Sequence, residues 1–365
     1  MFRFGAPGFD LPSFDLWSDR SAGAGGASED AGLTEMRDFG DNPGRLAMKA
    51  YVPKGLKPGA PLVVALHGCT QLAGGYQSSA RWTALADAYG FALLCPEQRR
   101  SNNPKLCFSW FRPDDVTRGK GEAASIRAMI EALATTHALD RRRVFVTGLS
   151  AGGAMACALL ATYPEVFAAG SIVAGLPYGA AGGVGEAFAA MGKGVERSAS
   201  DWGDRVRAAS GHAGPWPRVM IWQGEADETV NPANAEALVR QWTDLHALSP
   251  ASLREERRGN VTRRRWGDGA VEEIRIAGMG HGAPLDGAEG EVAAPYMLDV
   301  GVSQALETLA FWGLTRLEAL RRPRASPTPK PARTAPPAAR PTSGGTRRAI
   351  KAAVTRALRA VGVIR

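Results

Sequence analysis

Gly148-Leu149-Ser150-Ala151-Gly152 sets a serine between two glycines, directly after the apolar run Arg143 to Thr147 and directly before the helix-forming stretch Ala151 to Thr162. In that setting of strand, sharp turn and helix, G-x-S-x-G lifts a serine hydroxyl above the end of a strand. Small residues are required on both sides because the turn brings neighbouring backbone close and forces the serine into a strained conformation. The helix that follows aims its N-terminal dipole at negative charge developing near Ser150. Such a serine is suited to nucleophilic attack on a carbonyl carbon, provided that a base, an orienting carboxylate and two oxyanion donors can be found.

The base must be one of five histidines. His137 and His246 fall in helical patterns, His212 lies in a Gly-rich stretch, and His67 ends a strand upstream of Ser150. His281 sits in Gly278-Met279-Gly280-His281-Gly282 after the final strand pattern, in a loop able to carry an imidazole over the serine. His281 is therefore the expected base, and His67 is expected to hold its own loop. The carboxylate is sought between serine and histidine, in the turn Gly224-Glu225-Ala226-Asp227-Glu228-Thr229-Val230 that ends a strand. Asp227 is preferred there, with Glu225 in reserve and Glu228 facing solvent. Oxyanion donors are expected from the backbone N–H of Ala151 and from the loop Leu66-His67-Gly68-Cys69-Thr70-Gln71, with Cys69 first and Thr70 next. In the aromatic run Cys107-Phe108-Ser109-Trp110-Phe111, Trp110 is expected to wall the substrate site alongside Thr70, the other reading being ordinary core. A Cys69–Cys107 disulfide is open to the chain if the two loops lie side by side.

Positioning these groups needs a scaffold, and the hydropathy pattern describes one. Apolar or alternating runs recur at Arg45 to Val52, Pro61 to Leu66, Phe91 to Cys95, Arg143 to Thr147, Phe167 to Val173, Arg218 to Gln223 and Val271 to Ile276. Helix-forming stretches alternate with them at Arg81 to Tyr89, Ala123 to His137, Ala151 to Thr162, Pro232 to His246 and Val302 to Leu314. Alternation of this kind predicts an α/β fold, a doubly wound and mostly parallel sheet with helices on both faces. Residues 175–215 break the rhythm with a Gly- and Ala-rich insertion carrying short helices near 185–191 and 201–210. The insertion is either a small lid or a packing loop.

The catalytic domain is expected to span 33–320, after a Gly-, Ser- and Asp-rich leader over 1–32. That leader lacks the apolar core of an export signal, and no run of about 20 apolar residues is present to span a bilayer. A Pro/Ala/Arg-rich linker over 321–346 leads to a basic amphipathic helix over 347–365. The formal charge of +8 resides in this tail. Twelve of the 44 Lys and Arg residues lie beyond residue 320 with no acidic residue among them, leaving 32 basic against 36 acidic residues before it. A basic tail invites three readings: contact with an anionic surface, membrane or polymer granule, nonspecific nucleic-acid contact, or simple solubilisation. Specific nucleic-acid recognition is not expected. Four cysteines at scattered spacing give no metal-binding motif, and no metal site is expected.

Taken together, residues 66–71 (LHGCTQ), 95–98 (CPEQ), 107–111 (CFSWF), 148–155 (GLSAGGAM), 163–179, 223–232 (QGEADETVNP) and the GHG around His281 resemble the poly(3-hydroxybutyrate) (PHB) depolymerase family of esterases. The resemblance covers roughly residues 33–314. It implies an α/β-hydrolase fold, a Ser150–Asp227–His281 triad without cofactor, an ester or polyester substrate, and an extracellular setting. Feruloyl and acetylxylan esterases are similar to this family, so a carbohydrate ester is the alternative substrate. A binding protein on an inactive hydrolase scaffold would require a broken triad, and all three residues are present.

Overall fold

The computed structural model describes residues 31–315. The first 30 residues, the tail beyond 315 and with them the expected leader, linker and basic helix lie outside the described residues. Twelve strands occur among those described: β1 (Thr34–Met36), β2 (Ala47–Tyr51), β3 (Leu62–Leu66), β4 (Ala92–Glu97), β5 (Val144–Leu149), β6 (Ala169–Val173), β7 (Arg218–Gly224), β8 (Arg254–Arg258), β9 (Val261–Trp266), β10 (Val271–Ile276), β11 (Ala283–Leu285) and β12 (Met297–Asp299). The helices are α1 (Ala73–Ser79), α2 (Trp82–Tyr89), α3 (Pro113–Val116), α4 (Gly121–Thr136), α5 (Ala151–Thr162), α6 (Val184–Lys193), α7 (Ala199–Ser210), α8 (Ala233–Leu245) and α9 (Gln304–Phe311).

Ten strands form one sheet in the order β1-β2-β4-β3-β5-β6-β7-β10-β9-β8. The run from β4 through β3, β5, β6 and β7 to β10 is parallel, and two antiparallel strands extend it at each end. β3 shows how the sequence dictates the layers. All five of its residues are buried, but Leu62, Val64 and Leu66 join the apolar layer containing α4, α5 and α8, whereas Val63 and Ala65 join the layer containing α1, α2 and α9. A strand covered on both faces has no reason to alternate with polar residues, which is why LVVAL reads as one apolar run. This is the doubly wound sheet of an α/β-hydrolase.

The seven expected strands are present, within a few residues at their ends. The hairpin β8–β9 carried no hydrophobic signal. Its sequences, REERR and VTRRRW, are exposed or half-buried apart from Trp266, and are held by charge: Arg264 pairs with Glu255 at 2.7 Å and Glu273 at 3.3 Å, and Arg263 with Glu307 at 2.6 Å. Charged side chains along β8 also disfavour pairing of this open edge with another strand. The insertion holds α6 and α7, both packed against α8. Asn234 Nδ2 donates to Ala190 O at 2.9 Å, and Gln241 Nε2 donates to Tyr178 O at 3.0 Å and Trp202 O at 3.2 Å.

Candidate active site

Ser150 stands at the β5–α5 turn with φ 57° and ψ −117°, outside the regions ordinary side chains favour. Its N–H donates to Val173 O of the neighbouring strand at 2.8 Å, which fixes the turn against the sheet. The flanking glycines are required by close approach. A Cβ on Gly148 would lie 2.3 Å from Gly152 O, and one on Gly152 would lie 2.4 Å from Leu66 O. Only hydrogen at these positions lets α5 start directly over the end of β3.

His281 Nε2 lies 3.0 Å from Ser150 Oγ, and its Nδ1 lies 2.7 Å from Asp227 Oδ2. The His281 loop follows β10, but β10 is not the final strand: β11 and β12 come after it. Asp227 is buried and saturated with donors. Its Oδ1 accepts from Thr229 N at 2.9 Å and Val230 N at 2.8 Å, and Oδ2 accepts from Gln223 Nε2 at 3.2 Å as well as facing His281. Glu225 and Glu228 are exposed on the same turn. A further bond, Ala226 N to Met279 O at 2.9 Å, ties this turn to the histidine loop. The acidic and imidazole groups are thus mutually positioned by backbone as well as by their own contact.

Above Ser150 lies a narrow depression lined by Gly68, Cys69, Leu149, Ser150, His281 and Tyr296. The Cys69 and Ala151 backbone N–H groups donate to no acceptor among the described residues, leaving both open to an incoming oxygen. Thr70 differs from the expectation that placed it second as a donor: its N–H is spent on Lys105 O at 2.6 Å, and its hydroxyl donates to Cys69 O at 2.6 Å. Cys69 and Cys107 are joined by a disulfide. His67 is wholly buried, with Nδ1–H donating to Gly68 O at 2.8 Å and Nε2 accepting from Gln98 N at 3.1 Å, and burial lowers its pKa. Trp110 is buried at 8% exposure, packs in one apolar cluster with Cys69 and Ala151, and lines a cleft beside the 175–215 insertion.

Three supporting residues escaped the sequence reading. Gln71 accepts from Gly68 N at 2.9 Å through Oε1 and donates from Nε2 to Pro295 O at 3.1 Å, linking the Cys69 loop to the segment before Tyr296. Tyr296 has φ 64° and meets His281 edge to face at 5.9 Å. Glu122, buried on α4, accepts from Gln98 Nε2 at 2.6 Å and from Ser109 N at 2.8 Å, and burial pushes its pKa up to about 7. Gln98 Nε2 also donates to Cys107 O at 3.1 Å, so this network backs the loop to which Cys69 is bridged. These contacts are mostly long-range, and only Gln71 and Gln98, within the LHGCTQ and CPEQ runs, lay in segments already singled out.

A family model described as esterase PHB depolymerase matches residues 46–266. The chain belongs to that family. Within it, the poly(3-hydroxyalkanoate) depolymerase C of Paucimonas lemoignei is 42% identical over 291 residues, covering 77% of this chain and 70% of that protein. An acetylxylan esterase of Coprinopsis cinerea is 34% identical over 70% of this chain and 71% of its own length. A solved acetyl xylan esterase from Aspergillus awamori superimposes with a TM-score of 0.67 at 27% identity, covering 78% of this chain and 99% of that one. The protein is accordingly a carboxylic ester hydrolase of the α/β-hydrolase type.

Proposed function

We propose that the protein hydrolyses short-chain polyhydroxyalkanoate esters, as polymer or oligomers, through a Ser150–His281–Asp227 acyl-enzyme mechanism. The observation that carries the mechanism is the continuous chain of contacts from Asp227 through His281 to Ser150, at 2.7 and 3.0 Å. Ser150 Oγ bonds to the ester carbonyl carbon while its proton passes to His281 Nε2. The carbonyl π electrons move to oxygen, and the resulting oxyanion accepts from the Cys69 and Ala151 N–H groups, a contribution of order 10²–10³ in rate for each donor. As the tetrahedral centre collapses, the bond to the alcohol oxygen breaks and His281 Nε2–H protonates that oxygen. Water then enters the vacated position, gives a proton to His281 and attacks the acyl carbon. Ser150 leaves with the proton returned, and the carboxylic acid is free.

For the substrate, the support is the 42% identity to a protein named as a poly(3-hydroxyalkanoate) depolymerase. The likeness to acetylxylan esterases makes acetylated sugars the second reading. Replacing Ser150 by Ala is expected to abolish p-nitrophenyl butyrate hydrolysis and labelling by a fluorophosphonate, with the melting temperature retained. Near-full activity in that variant ends the mechanism. On wild type, faster turnover of 3-hydroxybutyrate oligomers than of acetylated or feruloylated sugars supports the polyester reading, and the opposite order overturns it.

A further inference from the structure

Between the 175–215 insertion and α3 lies a cleft of about 530 Å³ that shares no lining residue with the depression above Ser150. Its walls include Trp110, Val116 and Tyr178, and its rim carries Arg197, Arg205 and Glu186. Arginines elsewhere on α7 and α8 are paired: Arg207 with Asp204 at 2.7 Å and Asp244 at 2.6 Å, Arg240 with Glu196 at 3.9 Å. Arg197 and Arg205 have no carboxylate within ion-pair distance among the described residues. Arg197 is also half-buried, its guanidinium standing 5.3 Å over the Trp202 ring, and its buried Nε has no hydrogen-bond partner there.

A guanidinium Nε withdrawn from water without an acceptor, as on Arg197 and also on Arg240, carries a cost, and an anion beside the Arg197 guanidinium offsets part of it. The cleft is also shaped around the second arginine. Gly179 has φ 77°, and a Cβ there would stand 3.1 Å from Arg205 Cδ and 3.4 Å from its Nη1, so the arginine lies across bare backbone. Glu186 is the one acidic group on the rim, and its carboxylate already accepts from Gly182 N at 2.8 Å. Two cations against one committed anion leave the cleft positive. The apolar side chains of Trp110, Val116 and Tyr178 beside the arginines favour an amphipathic anion.

We propose that this cleft binds the free carboxylate end of a short acid or oligoester, with the carboxylate on Arg197 and Arg205 and the acyl chain against Trp110 and Tyr178. Each turnover of an ester hydrolase creates such an end, so the ligand is chemically tied to the reaction. Naming it a 3-hydroxybutyrate oligomer rests on the substrate reading above.

The test is isothermal titration of the intact chain carrying Ser150→Ala, which keeps the probe uncut, with the 3-hydroxybutyrate trimer as free acid, its methyl ester, and inorganic phosphate. The free acid should bind roughly tenfold more tightly than the methyl ester, the size expected for one charge-assisted contact. Adding Arg205→Gln, at an exposed site, or Arg197→Met, which keeps the apolar stem on Trp202, should erase that preference without weakening the methyl ester. Arg205→Lys should restore part of it. Equal binding of acid and ester, a preference untouched by both variants, or phosphate binding as tight as the acid overturns the proposal. Wild-type hydrolysis of the trimer is followed in parallel. A trimer that is cleaved but shows no carboxylate preference sinks this inference alone, whereas a trimer left intact sinks the proposed substrate.

Discussion

Substituting Asp227 by Asn tests the proposed proton path more sharply than deleting the serine. In the native site Oδ1 accepts from Thr229 N and Val230 N, and Oδ2 faces His281 Nδ1 and Gln223 Nε2. An asparagine satisfies the two backbone donors only by keeping its carbonyl at the Oδ1 position, which turns its NH₂ toward His281. Nδ1 must then accept, so the imidazole proton moves to Nε2 and the nitrogen facing Ser150 loses its lone pair. Restoring the productive tautomer gives up the neutral hydrogen bond from the asparagine NH₂ to Nδ1, worth about 1 kcal/mol. Losing the carboxylate opposite the transient imidazolium removes about 4 kcal/mol more, the interaction of unit charges roughly 4 Å apart at an effective dielectric near 20. Together these predict a loss of about 10⁴ in kcat, with KM little changed and the fold retained. Glu225→Gln, at an exposed carboxylate on the same turn, should change kcat by less than about twofold. The assay is initial-rate hydrolysis of p-nitrophenyl butyrate from pH 6 to 9. A loss below about tenfold for Asp227→Asn, or a larger loss for Glu225→Gln, refutes the assignment.

Other outcomes follow from the supporting residues. Cys107→Ser opens a bridge between residues 38 apart in sequence, and the chain-entropy relation puts the loss at about 4 kcal/mol in urea denaturation; kcat should fall more than KM changes, because Cys69 N–H loses its anchor. Tyr296→Gly keeps the left-handed backbone, removes one wall of the depression over Ser150, and should shift preference toward longer acyl esters roughly tenfold; an unchanged chain-length profile refutes that role. Glu291 accepts from Asp286 N and Ser303 Oγ, and burial raises its pKa to about 7. A carboxyl whose pKa is higher folded than unfolded stabilises fully below about pH 4.5 and loses that contribution as pH rises through about 7. Glu291→Gln should therefore flatten the pH dependence of stability across that window, by at most about 3 kcal/mol, and a melting profile as steep as wild type argues against it.

Much of the scaffold was legible because its signals are local. The central strands are continuous apolar runs, the glycines around Ser150 are demanded by a turn of five residues, and β7 ends in a carboxylate-rich turn wherever the rest of the chain goes. The β8–β9 hairpin was not legible, since it is held by cross-strand ion pairs and leaves no apolar period to detect. Trp110 illustrates a different limit. Its aromatic neighbourhood suggested a wall, and packing places it in the insertion cleft, in one apolar cluster with Cys69 and Ala151.

By itself, then, the sequence determined the alternation of strand and helix and the nucleophile turn, both of which depend on residues a few positions apart. Tertiary structure decided what must be brought together from afar. Ser150 meets His281 across 131 positions and His281 meets Asp227 across 54. It decided that Asp227 rather than Glu225 faces the imidazole, that Cys69 is bridged to Cys107, and that the Thr70 N–H is spent while those of Cys69 and Ala151 stay open. The physical reason is the range of the interactions. Backbone strain and hydropathy act within a turn or a strand, whereas the choice among neighbouring carboxylates or N–H groups depends on which one the distant loop can reach and bury.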